Sequence, residues 1–181
     1  VLSHEIESFN PAGDSHVWVK IPVIPGTSTN QCLWMYYGNG AADGGQDPAG
    51  VWDAGYAGVW HLAESPAHNG AHNDSSPSAN HGVFIDADGD SDTGAAGYLN
   101  GADDFNGDGD YVSVPDDPSL QLSGAFTISA WVKIDTVERR PIASKETSGN
   151  RGYVFEVGSS RTVGLQIFNP AGTADYMPSV S

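Results

Sequence analysis

Basic residues are scarce in this chain. Seven Lys and Arg stand against 23 Asp and Glu in 181 residues, for a formal net charge of −16 and a pI near 4.3. A nucleic-acid surface needs clustered Lys and Arg, and seven scattered cations build no such groove, so nucleic acid is excluded as a partner. Anionic membranes would repel the chain as well. Cysteine is almost absent: the single Cys32 excludes an internal disulfide. It sits in Gln31-Cys32-Leu33-Trp34-Met35-Tyr36-Tyr37, which reads as a strand, so a buried thiol is expected. No hydrophobic run reaches the length of a membrane-spanning helix, and no membrane insertion is expected. Val1 does not begin a signal peptide, and the chain starts inside what reads as a strand. An excised or processed segment of a larger secreted or cell-surface protein is therefore expected.

Helical periodicity is also nearly missing. What is present instead is strand-like. Hydrophobic residues make up 39%, with five Trp, seven Tyr and six Phe, enough for a core and too many for a disordered chain. Twenty-three Gly and eleven Pro punctuate short runs of Val, Ile, Trp, Tyr and Thr. Residues 16–24 alternate and end at Pro25-Gly26, and residues 32–37 end at Gly38-Asn39-Gly40, so a hairpin is expected there. A Gly- and Asp-rich connector, 38–50, follows. Further strands are expected at 58–62, 111–114 and 125–134, with a hairpin of 153–157 and 163–168 about Gly158-Ser159-Ser160. In 125–134, Phe126, Ile128, Ala130, Val132 and Ile134 share one face, and Thr127, Ser129, Trp131 and Lys133 the other. This spacing predicts an all-β fold of sandwich or jelly-roll type.

Four motifs in order carry a family resemblance: Gly58-Val59-Trp60-His61-Leu62-Ala63-Glu64, then Asn73 to Gly82, then Phe105 to Pro115, then Leu122 to Lys133. Residues from about 58 to 170 resemble the concanavalin A-like lectin/glucanase superfamily in its bacterial laminin-G-like branch. Residues 1 to about 56, through Glu5 to Asn10, Val17 to Pro22 and Met35 to Asn39, resemble the C-terminal half of a bacterial domain of unknown function, DUF2341. The division expected is 1–56, a partial β domain, and 57–181, an antiparallel β-sandwich that stops before the family's later strand pair. Such a truncated sandwich would leave open strand edges, so self-association through those edges is a partner expectation. The resemblance further implies a polysaccharide or glycan as ligand. It also gives Asp74 the role of the family's loop aspartate, anchoring that loop or helping to bind calcium; an Asp before Ser-Ser is equally a plain turn-former.

Two acidic clusters point to Ca2+. Asp86, Asp88, Asp90 and Asp92 alternate along one loop, a spacing that lets carboxylates converge on a hard cation. Asp108 and Asp110 belong to a second cluster with Asp103, Asp104 and Asn106. An EF-hand is excluded, because Gly97 stands where the bidentate Glu belongs. One Cys and six His in no ligand-spaced set disfavour zinc. A solvated acidic loop is the plain alternative.

For a sugar, an exposed aromatic platform is the physical requirement. Trp52, Tyr56 and Trp60 near the connector, Tyr98 in a loop, and Trp131 are the candidates. Trp131 equally fits packing between layers, and Trp18 and Trp34 are expected in the core. A glycoside hydrolase is the enzyme alternative, with Glu5 and Glu7 as its carboxylates. A retaining mechanism needs a pair about 5 Å apart, and alternate residues on a strand lie roughly 6–7 Å apart on one face. The strand is similar in part to the Glu-x-Asp-x-x-Glu strand of laminarinase-type enzymes, but Asn10 replaces the third carboxylate. The readings, in order, are a glycan-binding or adhesion module, a structural module completed by strand exchange, and an enzyme.

Overall fold

The structure is a computed structural model that describes residues 1–26, 30–64, 70–89, 94–136, 138–147, 150–169 and 174–180. It divides into two compact units, Val1–Asp116 and Asp117–Ser181. The boundary expected at 56/57 falls inside the first unit.

Unit 1 opens with β1 (His4–Ser8) and β2 (His16–Val19), paired antiparallel with Glu5 opposite Trp18 and Ile6 opposite Val17. The turn between them is built by Asn10. Its Oδ1 accepts from Ala12 N at 3.0 Å, and its own amide donates to Ser15 Oγ at 2.9 Å. A single helical turn, α1 (Pro48–Val51), follows the connector. Asp47 caps it by accepting from Gly50 N at 3.0 Å, and Pro48 occupies the first position, where no N–H is needed. The connector is tied to β1: Asp47 N donates to His4 O at 2.9 Å, and Ile6 N to Gln46 Oε1 at 2.6 Å.

The rest of unit 1 holds β3 (Ala71–His72), β4 (Gly82–Ile85), β5 (Ala95–Ala96), β6 (Gly101–Ala102) and β7 (Tyr111–Ser113). Strands β3, β4 and β7 form one antiparallel sheet in that order, and β5 pairs with β6. Phe84 of β4 is 1% exposed, and His72 and Phe105 pack their rings on it at 6.2 Å each. Gly101 is required by close packing, since a Cβ there would lie 2.7 Å from Ala63 Cα.

Unit 2 begins with a 3₁₀ turn (Pro118–Leu120) capped by Asp117, whose carboxylate accepts from Ser119 N at 2.8 Å. Strands β8 (Arg140–Thr147), β9 (Asn150–Val157), β10 (Val163–Phe168) and β11 (Ala174–Val180) form an antiparallel meander in the order β11-β10-β9-β8. Val154 and Val157 are its buried apolar residues among the described ones. The chain is thus almost all-β, and every ladder among the described residues is antiparallel, the class expected from the sequence.

Several local expectations are corrected. Residues 16–19 pair backwards with β1, so the hairpin with 32–37 does not form, and Trp34 (79%) and Cys32 are exposed. Trp18 is 36% exposed rather than in the core. The strand at 58–62 shrinks to a single bridge between Trp60 and Asp74. Residues 125–134 form no ladder among the described residues, although Phe126 packs on Tyr153 at 5.7 Å, and Trp131 is 71% exposed. Alternation makes a segment suited to a half-buried extended chain, but a strand exists only where a neighbour takes its hydrogen bonds.

Candidate functional site

The ladder between β4 and β7 sets up the acidic cluster. Ile85 pairs with Tyr111, so the next residue on each side, Asp86 and Asp110, meet just beyond the last rung. Asp88 joins them, and one carboxylate oxygen from each lies within 4.8 Å of the others. Gly109, at φ +110°, gives the tight approach into Asp110 that a side chain would resist. Asp110 Oδ1 accepts from Ala87 N at 2.8 Å. Its Oδ2 is buried with no hydrogen-bond partner. Asp86 accepts from Gly89 N, and Asp88 Oδ2 from Asn106 Nδ2 at 2.9 Å. Lys20 is the one Lys or Arg before Lys133, and it is engaged by Asp53 at 2.6 Å. No Lys or Arg of unit 1 is thus left for these three carboxylates.

The other expected ligands are placed differently. Asp108 is exposed and outside this cluster, while Asp90 and Asp92 lie outside the described residues. Asp74, 6% exposed, has its oxygens occupied: Oδ1 accepts from Val59 N and Ser76 N, and Oδ2 from Ser76 Oγ and Asn80 N, all at 2.7–2.8 Å. It fastens the 74–80 loop to the chain at 59.

Glu5 and Glu7 share a face of β1 as strand alternation requires, and they line an open cleft of about 310 Å³ with His61, Glu64, Asn73 and Ser75. Both are engaged. Glu5 accepts from the Trp52 indole N–H and from Ser75 Oγ at 2.6 Å, and lies 3.2 Å from His61 Nε2. Glu7 Oε2 lies 2.5 Å from His61 Nδ1 and accepts from Trp18 Nε1 at 2.8 Å. One imidazole stands between the two carboxylates.

A second buried histidine repeats the pattern. His72 Nδ1 lies 3.1 Å from Glu64 Oε2, and Nε2 lies 2.9 Å from Asp103 Oδ2. The Asp103 contact is close but poorly aligned, since neither partner has a hydrogen bond at those atoms; it is an ion pair. Burial pushes the His72 imidazole down, but the Asp103 and Glu64 carboxylates outweigh it and hold the group above its ordinary value. Burial likewise acts to raise Glu64, and the Asn73 N–H with His72 reverses this, leaving it lowered. Spacing did not reveal these histidines. The signal that could have done so is a unit with many carboxylates and one Lys.

Of the aromatic candidates in unit 1, two are held by hydrogen bonds and ring contacts. Trp52 packs between Trp18 and Tyr56 at 5.1 Å each and donates to Glu5; Trp60 donates to Asn80 O at 2.8 Å. These indoles are part of the packing. Tyr56 (46%), Tyr98 (72%) and, in unit 2, Trp131 (71%) are exposed.

Comparison with known proteins adds the family context. No curated protein sequence matches the chain. Its fold is similar to that of an S-layer domain-containing protein (residues 221–444) from Clostridium thermocellum ATCC 27405, with a TM-score of 0.56 and 21% identity. The likeness covers 68% of this chain and 57% of that one, so this chain spans little more than half of that chain's length. At that identity the likeness is one of fold. Two family models match parts of the sequence: that of DUF2341, a domain of unknown function, at 1–61, and that of the concanavalin A-like lectin/glucanases superfamily at 105–180.

Proposed function

We propose that the chain is a non-catalytic binding or adhesion module of a larger secreted or cell-surface protein, with Ca2+ holding its acidic loops and a glycan as ligand. The observation that carries the calcium reading is the buried, unpartnered Oδ2 of Asp110 beside Asp86 and Asp88. Three hard oxygen donors, in a unit whose one Lys is engaged by Asp53, suit calcium better than a transition metal. Asp86, Asp88 and Asp110 would hold the ion and lock the ends of β4 and β7 together. The superfamily match supports a glycan ligand. The likeness in fold to an S-layer domain-containing protein, together with the strongly acidic composition, supports a surface setting. The engagement of Glu5 and Glu7 by Trp52, His61, Ser75 and Trp18 favours binding over hydrolysis, because those donors occupy the carboxylates a glycosidase would use.

The test is thermal unfolding of the full chain with calcium and with chelator, across a glycan panel. A ligand at a hundredfold excess over its Kd stabilises the folded state by about 2.7 kcal/mol. Calcium stabilisation that Asp110→Asn abolishes supports the site. An unchanged midpoint removes the calcium claim, and no glycan effect in the calcium-loaded chain removes the lectin-like one.

One observation favours a second reading, assembly by strand addition. Residues 125–134 keep strand alternation and anchor Phe126 on Tyr153, yet form no ladder among the described residues. A partner strand, from another copy or another protein, would extend this segment into a sheet. Sedimentation showing only monomer over a wide concentration range would remove the self-association form of this reading.

A further inference from the structure

The Gly38-Asn39-Gly40 turn joins no pair of strands, yet it holds an asparagine ready for chemistry. Four Asn-Gly pairs occur in the sequence: Asn39-Gly40, Asn69-Gly70, Asn100-Gly101 and Asn106-Gly107. Asn69 lies outside the described residues. In such a pair the glycine nitrogen can attack the asparagine Cγ, because glycine has no side chain to shield its amide. In a folded chain the step also needs a side-chain amide and a glycine N–H that no other group holds.

Asn39 meets both conditions. Residues 31–43 are all exposed. Asn39 O accepts from Ala42 N at 3.1 Å and closes the turn, while Asn39 Oδ1 accepts from Ala41 N at 3.1 Å. The second bond folds the side chain along the Gly40 backbone and draws electron density from Cγ. Neither Asn39 Nδ2 nor Gly40 N donates a hydrogen bond among the described residues. A Cβ at Gly40 would meet nothing within 4 Å, so water and hydroxide reach that amide. The other described pairs are held. Asn100 Nδ2 donates to Glu7 O at 2.7 Å, and Gly101 is packed against Ala63. Asn106 Nδ2 donates to Asp88 Oδ2 at 2.9 Å, beside carboxylates that disfavour an amide anion.

We propose that Asn39 is a site of slow self-modification, converted through a cyclic imide to aspartate and isoaspartate without an enzyme. Hydroxide takes the Gly40 amide proton, and the nitrogen forms a bond to Asn39 Cγ. The Cγ–Nδ2 bond breaks, and Nδ2 takes a proton from water and leaves as ammonia. Water then opens the imide, at Cγ to give aspartate or at the Asn39 main-chain carbonyl to give isoaspartate. Net, a water is consumed and an ammonia released, with no oxidation or reduction. Residues 21–42 contain no charged side chain, so either product places the first charge there. Isoaspartate also routes the backbone through Cγ, which lengthens the chain by one carbon and undoes the turn between Asn39 and Ala42. The change falls beside Trp34, Tyr36 and Tyr37, all strongly exposed, and so alters the character of that aromatic stretch as the protein ages.

The test is incubation of the full chain in neutral and mildly alkaline buffer, followed by peptide mapping with mass spectrometry, isoaspartate detection and ammonia release. A hydrogen bond that must break before the ring closes slows the step, so Asn39 should convert about tenfold faster than Asn100 and Asn106. Its rate should rise with hydroxide. Gly40→Ala, which the open surroundings accept, should bring Asn39 down to the rate of those two. In urea the other pairs lose the groups that hold them, and the three rates should draw together. A rate at Asn39 in the folded chain no higher than at Asn100 and Asn106 overturns the proposal. An advantage that persists unchanged in urea, or that survives Gly40→Ala, overturns it as well.

Discussion

Asp103 Oδ2 lies 2.9 Å from His72 Nε2, and both side chains are fully buried. A buried carboxylate with no hydrogen bond of its own tolerates burial only beside a cation. Because His72 is held above its ordinary value near 6.5, the stability it contributes is complete below that value. It is lost as pH rises through the folded-state value. Glu64 works in the opposite sense: held below its ordinary value near 4.5, it contributes above that value and fails on acidification. The native chain should therefore lose stability as pH rises above about 6.5, through the folded-state value of His72. Asp103→Asn should flatten that dependence and cost about 3 kcal/mol, as expected for breaking a buried pair, measured by urea unfolding at several pH values.

Asp74 is the strongest anchor in unit 1 by its hydrogen bonds. Asp74→Ala should cost about 3–4 kcal/mol, because four donors lose an ionised acceptor at once. Asp108→Ala, at an exposed position outside the cluster, should stay within about 0.5 kcal/mol. Equal losses for the two would contradict the geometry.

In unit 2, Glu156 is 3% exposed and receives Arg139 Nε at 2.8 Å, Arg139 Nη2 at 2.7 Å and Gln166 Nε2 at 2.9 Å. Glu156→Gln should destabilise by about 2–3 kcal/mol, less than a wholly buried pair because Arg139 is well exposed. Raised salt should recover little of this, since the carboxylate end is shielded from screening.

Cys32 is exposed. The native chain should react with a thiol reagent without denaturant, at a rate close to that of a small free thiol. A rate that rises steeply only on unfolding would restore the buried-thiol reading.

The fold class was legible because its signals are local. Gly and Pro spacing marked the turns, and alternation marked β7, β9 and β10. What failed depended on partners far along the chain. Residues 16–19 chose β1 over 32–37, and 125–134 found no ladder among the described residues, because alternation states which face is apolar and not which neighbour is available. The acidic cluster was half legible. The alternating Asp86 and Asp88 were visible, but only the Ile85–Tyr111 rung brings Asp110 to them. Glu5 and Glu7 were rightly seen to share a face. Their partners His61, Trp52 and Ser75 were hidden by sequence distance.

Glu5 binds residues 47, 56 and 70 positions ahead of it. During vectorial synthesis it leaves the ribosome long before any of them, so the β1–β2 hairpin emerges with this acid unmatched. Lasting attachment waits until the segment carrying Ser75 has cleared the exit tunnel. Translation therefore has a built-in interval in which this strand is without its side-chain partners, and non-local contacts of this kind form late.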